Sequence, residues 1–198
     1  MRLGVYGGTF NPIHNGHLHV LSGAKEQLGL DRLLLIPTCV PPHKRIHGQL
    51  AGDEERLAMC RLAVRDYPWV EVDDREIRRG GLSYTSDTLR ELLRDYPGAE
   101  LFFLAGSDMF LTVDRWHESG EIARMCTVAG FLRPPDTSEQ LRQCAERLSA
   151  SGWSVRLLDI PPYEASSTEI RAGDTSCLPE AVAAYIRAHH LYTQEANT

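Results

Sequence analysis

Lysine is almost missing from this sequence. Of its 21 basic residues only Lys25 and Lys44 are lysines, and the other nineteen are arginines. Positive charge is also outweighed: 27 acidic residues leave a formal net charge of -6. The chain therefore lacks the basic excess with which nucleic-acid-binding proteins displace counterions. No nucleic-acid partner is expected, although a small anionic ligand needs only local positive charge. Long apolar runs are absent too. Leu33–Ile36 and Leu101–Ala105 fall far short of the roughly 20 residues a spanning helix requires, so no membrane partner is expected. No CxxC pair occurs among Cys39, Cys60, Cys126, Cys144 and Cys177. Their odd number fits reduced thiols better than a disulfide framework, and none of them has zinc-ligand spacing. The opening Arg2-Leu-Gly-Val-Tyr-Gly7 lacks the apolar core of a signal peptide, and a cytoplasmic location is expected. Finally, neither GxxxxGK[ST] nor GxGxxG is present, so a P-loop kinase and an ordinary dinucleotide dehydrogenase lose support.

What is there is an ordinary globular composition. The 198 residues are 42% hydrophobic and 24% charged, enough for one domain with a sizeable core. Strand and helix patterns alternate. Strands are expected at 2–7, 32–37, 70–72, 101–105, 126–132 and 155–160. Helices are expected at 16–28, 53–66 with a cap at Asp53, 86–95, 138–150 and 179–189. Alternation of this kind implies an α/β fold, a Rossmann-like, doubly wound parallel sheet flanked by helices. Residues 1–198 read as a single domain with a small helical part from about residue 166. Ligands of such sheets bind at the carboxyl ends of the strands, where the winding reverses.

Histidine marks where to look, because five of the eight fall in the first 47 residues: His14, His17, His19, His43 and His47. The first strand runs into Gly7-Gly8-Thr9-Phe10-Asn11-Pro12-Ile13-His14-Asn15-Gly16-His17. Glycines there let the backbone approach a ligand closely, and a helix starting near Gly16 favours an anion at its open N–H groups. Alternatively, Gly-Gly is a plain turn. His-x-x-His also allows a metal pair, but no third ligand of fitting spacing stands nearby. A second candidate anion site is Ala165-Ser166-Ser167-Thr168-Glu169-Ile170-Arg171. Ser166 and Glu169 fit a capping box, and the hydroxyls with Arg171 can converge on a phosphate.

Taken whole, the first segment resembles the GG(T/S)FxPxHxGH signature of the HxGH nucleotidyltransferases, and the second resembles their ISSTxIR motif. Three further stretches, Pro41-Pro42-His43-Lys44, Arg75 to Thr88 with its Ser83-Tyr84-Thr85, and Gly106-Ser107-Asp108 followed by Trp116, resemble bacterial nicotinate-nucleotide adenylyltransferases. So does the ending from Leu178 to Tyr192. The resemblance implies that ATP and nicotinate mononucleotide give nicotinate adenine dinucleotide and pyrophosphate, with Mg²⁺ bound through the ATP phosphates and no protein metal site. It assigns catalysis to His14, His17 and Arg171. It assigns ATP to Gly7, Gly8, Thr9, Phe10, Gly106, Asp108, Arg133, Ser166, Ser167 and Thr168. His43, Lys44, Tyr84, Thr85 and Trp116 are assigned to the mononucleotide, with Trp116 stacked on the pyridine ring. Bland readings stand beside these: Trp116 as core, Asp108 as a helix cap, Tyr84 as packing and Lys44 as a solvated charge. The chain departs from the family pattern at Asn11, often Asp in relatives, which is expected to order the turn. It departs again at Thr38-Cys39, and at the short 172–178 stretch, which leaves no room for a full helix. Other readings are nicotinamide mononucleotide as substrate, a sister phosphopantetheine adenylyltransferase or cytidylyltransferase, and a nucleotide-binding sensor without catalysis.

Overall fold

Every strand of the sheet runs in the same direction, and the order of strands reverses once. The computed structural model describes residues 1–42 and 50–193. Its six strands are β1 (Arg2–Gly8), β2 (Arg32–Pro37), β3 (Val70–Val72), β4 (Glu100–Gly106), β5 (Thr127–Phe131) and β6 (Val155–Leu158). They lie in the order β3-β2-β1-β4-β5-β6. β1 pairs in parallel with β2 on one side, Val5 opposite Leu34, and with β4 on the other, Val5 opposite Phe103. The winding reverses at β1, so the crevice beyond the ends of β1 and β4 is the expected ligand position for such a sheet.

The helices are α1 (Asn15–Leu28), α2 (Asp53–Ala63), α3 (Arg75–Arg79), α4 (Thr85–Asp95), α5 (Ser107–Phe110), α6 (Ser119–Met125), α7 (Ser138–Ala150), α8 (Ser167–Arg171) and α9 (Glu180–Ala188). A 3₁₀ turn covers Val113–Arg115. Period-2 alternation divides the apolar strand residues between the two faces. Leu33, Leu35, Phe102 and Leu104 join one buried cluster with Leu21 of α1, Met59 of α2 and Val182 of α9. Leu34, Ile36, Leu101 and Phe103 join the other with Leu89 of α4, Ile122 of α6 and Leu148 of α7. The C-terminal helices share the first cluster through Ile170, Leu178, Val182 and Ile186. Among the described residues no helix is long and apolar enough to cross a membrane.

Most boundaries fall where the sequence placed them, with informative exceptions. The cap of α2 is Gly52 rather than Asp53, because the Glu55 carboxylate reaches back to accept the Gly52 N–H at 2.6 Å. That helix stops at Ala63 instead of residue 66. β6 stops at Leu158, whose partner Phe131 is the last residue of β5. The backbone N–H and C=O of Asp159 are taken instead by the Gln27 side chain. Helices α3, α5 and α6 were not expected, since each is too short to carry a readable period.

Candidate active site

The loop leaving β1 turns into α1 at His14, whose own position is the N-cap. The His14 backbone N–H donates to Nδ1 of His17 at 3.2 Å. In a neutral imidazole this bond fixes the other nitrogen, Nε2, as the proton carrier. His17 is packed edge-on against Phe10 and lies over His14, with ring centroids 5.1 and 3.7 Å away respectively. His14 is buried at 4% exposure. Burial, reinforced by the Arg133 guanidinium, lowers its pKa to about 4. Gly16 has a steric reason: a Cβ there would lie 3.0 Å from Nδ1 of His14 and 3.3 Å from Cβ of Ala165. Small size, rather than unusual backbone torsion, is what the motif requires at that position.

The C-terminal motif grips this loop. Ser166 caps α8 by accepting the Thr168 N–H, without the reciprocal Glu169 bond that a capping box would add. The Ser167 hydroxyl donates to the Pro12 carbonyl at 3.0 Å. Nη1 of Arg171 donates to the Asn11 carbonyl at 2.8 Å and to the Ser167 carbonyl at 3.0 Å, and Nη2 meets the Thr168 hydroxyl at 3.3 Å. The Asn15 N–H at the start of α1 donates to the Cys177 carbonyl at 2.9 Å, so this helix start is not wholly open. The short 172–178 stretch forms turns instead of a full helix.

At the far wall, Gly106 ends β4 and Arg133 follows β5. Ser107 joins them: its hydroxyl accepts the Arg133 N–H at 3.0 Å and donates to the Arg133 carbonyl at 3.1 Å. Arg133 and Asp108 pair at 3.5 Å. A side chain at residue 106 would collide with both, its Cβ falling 2.4 Å from the Arg133 side chain.

The loop after β1, the ends of β4 and β5 and the C-terminal motif all contribute to one cleft of about 320 Å³ at the winding reversal. Its walls include Gly7, Gly8, Thr9, Phe10 and His17, then Gly106, Asp108 and Arg133, then Ser166, Ser167, Thr168 and Arg171. Thr85 and Trp116 line its other end with Glu76, Ser83 and Thr88. Trp116 is buried, packs edge-on against Phe103 at 5.8 Å and donates Nε1–H to the Thr112 hydroxyl at 3.3 Å. Two sequence candidates lie outside the wall. His14 sits behind His17, and the Tyr84 ring lies tilted against that of His117, with centroids 4.2 Å apart. His43 and Lys44 lie outside the described residues.

Sequence reasoning missed several residues. Arg56 is fully buried, and donates to the carbonyls of Thr9 and Thr38 at 2.7 Å each and to Asp53 at 2.5 Å. It thereby ties the loop after β1 to the loop after β2. Glu76 is buried on the cleft wall, where burial raises its pKa, and it accepts the Thr88 hydroxyl at 2.6 Å. Only its place in the Arg75-Glu-Ile-x-Arg stretch signalled it. Among the described residues no three His, Cys, Asp or Glu side chains gather as a metal cage.

The model of the cytidylyltransferase-like family matches residues 5–173. A protein of Citrifermentans bemidjiense named as a probable nicotinate-nucleotide adenylyltransferase is 42% identical, across 97% of this chain and 98% of its own. The chain belongs to the nicotinate-nucleotide adenylyltransferase family. A Listeria innocua member named in the same words is 37% identical across 96% of this chain and 97% of its own. Among solved structures, the nicotinic acid mononucleotide adenylyltransferase of Plasmodium falciparum in complex with NaAD has the same fold, with a TM-score of 0.76. It is 18% identical and the match covers 96% of this chain and 97% of that one. The two segments that resemble nucleotidyltransferase motifs, Gly7–His17 and Ala165–Arg171, are bonded to each other in this fold.

Proposed function

We propose that the protein joins ATP and nicotinate mononucleotide into nicotinate adenine dinucleotide, releasing pyrophosphate, in NAD biosynthesis. The observation that carries this reading is the single cleft that the HxGH loop, the β4 and β5 ends and the C-terminal motif line at one end, and Thr85 and Trp116 at the other. An oxygen of the mononucleotide phosphate attacks the α-phosphorus of ATP. The new P–O bond forms in line with the breaking bond to the pyrophosphate oxygen. The attacking oxygen is already anionic at neutral pH, so no strong general base is needed. The protein's work is alignment and neutralisation of the leaving charge.

His17 supplies its Nε2–H and Arg171 its guanidinium charge to the phosphates, with Thr168, Ser166 and Ser167 and the Gly7–Phe10 backbone around them. His14 acts from behind, setting the His17 ring through its backbone N–H. Arg133 and Asp108 face the adenosine. ATP enters as its magnesium complex, and the ion offsets phosphate charge when bound.

At the other end, Thr85 opens α4, an 11-residue helix whose first N–H groups lack partners within the helix and favour an anion. That placement supports the carboxylate of nicotinate over the neutral amide of nicotinamide. Trp116 offers the pyridinium an aromatic surface. His43 and Lys44 remain proposed contacts of the mononucleotide phosphate. All five cysteines are unpaired, consistent with a cytoplasmic enzyme. ATP carrying a chiral thiophosphate at the α-position tests the route. Direct attack predicts dinucleotide with inverted configuration. Retention would reveal a covalent adenylyl-enzyme, and ATP binding without product would favour the sensor reading.

A further inference from the structure

We propose that Tyr192 is a positioning residue: its hydroxyl, donated to the Asn11 carboxamide, holds the loop between β1 and α1 in the shape that presents His17 and Gly8–Phe10 to the triphosphate. The kinetic part of this inference rests on the adenylyl transfer proposed above, whereas the structural part stands without it.

The loop needs external support. Phe10 has φ +47°, a region that bulky side chains enter only when their surroundings impose it. Its supports come from two directions. From α2 and the segment before it, Arg56 holds the Thr9 carbonyl at 2.7 Å and the Ala51 N–H reaches Oδ1 of Asn11 at 3.1 Å. From the C-terminal part, Ser167 and Arg171 hold the backbone of Pro12 and Asn11. Tyr192 completes this second grip on the Asn11 side chain at 2.6 Å, across 181 positions of sequence.

The direction of that bond is determined. The Ala51 N–H can only donate, so the carboxamide atom facing it is the oxygen. Tyr192 meets the same oxygen and must therefore donate its hydroxyl proton. Arg56, Arg171, Glu55 and Cys60 are the charged and titratable groups that act on Tyr192, and its burial raises the phenol pKa. The hydroxyl accordingly stays protonated throughout the neutral range. An aspartate at residue 11 would also accept this proton, so the asparagine of this chain preserves the latch without placing another negative charge beside the phosphates.

Tyr192→Phe removes the donor and keeps the ring in the core. Hydrogen exchange of the whole protein, read by mass spectrometry, should show faster exchange in the peptide spanning residues 9–17, with β4 and α7 unchanged. In steady-state assays kcat should fall about tenfold, a fraction of the roughly hundredfold that a 1 Å misplacement costs. The mononucleotide KM should stay within about twofold, because the contact lies at the other end of the cleft. Asn11→Leu removes the acceptor, and adding Tyr192→Phe to it should change exchange little further. In the Asn11→Asp background, which keeps an acceptor, Tyr192→Phe should again speed exchange. Unchanged protection of residues 9–17 in Tyr192→Phe would overturn the proposal. So would an exchange increase spread evenly over the sheet, or a kcat loss that vanishes on cooling. If the unaltered protein formed no dinucleotide, the reaction would be wrong while the exchange result would still judge the latch.

Discussion

At the end of the cleft proposed for the adenylate the walls come from short contiguous strings within Gly7–His17, Gly106–Asp108 and Ser166–Arg171. They are fastened to one another by long-range bonds, such as Ser167 to Pro12 and Arg171 to Asn11. At the end proposed for the mononucleotide the walls come from single residues spread over several elements, Glu76, Ser83, Thr85, Thr88 and Trp116. They are fastened by side-chain bonds: Thr88 to Glu76, Arg79 to Thr88 at 3.0 Å, and the Cys39 N–H to Ser83 at 3.0 Å. In the proposed function the first end takes the triphosphate of ATP, and the second, a network of polar side chains, takes the pyridine ring of the mononucleotide.

If that division holds, substitutions at the two ends should affect different parameters. The largest effect is expected at the adenylate end. His17→Ala should lower kcat by about 10²–10³-fold, the scale of losing one donor to a developing charge, with far-UV circular dichroism unchanged. A folded variant turning over normally would remove His17 from the mechanism. Next comes His14, whose folded pKa of about 4 lies below its unfolded value near 6.5. The sign follows: between those values the unfolded chain binds the extra proton, so stability falls as pH drops from about 6.5 to about 4. The linked loss is at most about 3 kcal/mol. Denaturation of the parent and of His14→Asn across that window should show a steeper loss in the parent than in the variant. Parallel curves would show that His14 does not titrate there. At the mononucleotide end, Trp116→Ala should raise the mononucleotide KM about tenfold, from lost stacking of about 1–2 kcal/mol. The ATP KM should barely change, and a rise in the ATP KM alone would break the comparison. The smallest effect is expected for Ser166→Ala, a lost cap costing about 1 kcal/mol, read as a lower denaturation midpoint.

The same contrast explains what the sequence revealed. The contiguous strings could be read directly, because neighbouring residues converge on one anion and their types state the chemistry. The parallel sheet was legible for a similar reason: buried runs such as Leu33–Ile36 and Leu101–Ala105 carry their burial in their composition. Arg56 was hidden, since a charged residue in an amphipathic helix normally faces water and nothing local announces two distant carbonyls. Glu76 was hidden likewise, its role depending on Thr88 and Arg79 across a helix junction. The Tyr192 contact depends on chain reversal over the whole fold. His14 and Tyr84 were placed on the wall by their strings, but packing set them one layer behind and beside it.

Pyrophosphate release, measured for the unaltered protein with ATP, Mg²⁺ and either nicotinate or nicotinamide mononucleotide, tests the central claim most directly. The anion-favouring start of α4 predicts release with both ligands and a kcat/KM at least about tenfold higher for the carboxylate, the worth of one charge-assisted hydrogen bond. Equal values, or a preference for the amide, would contradict the assignment of that end of the cleft, and no release with either would contradict the reaction itself.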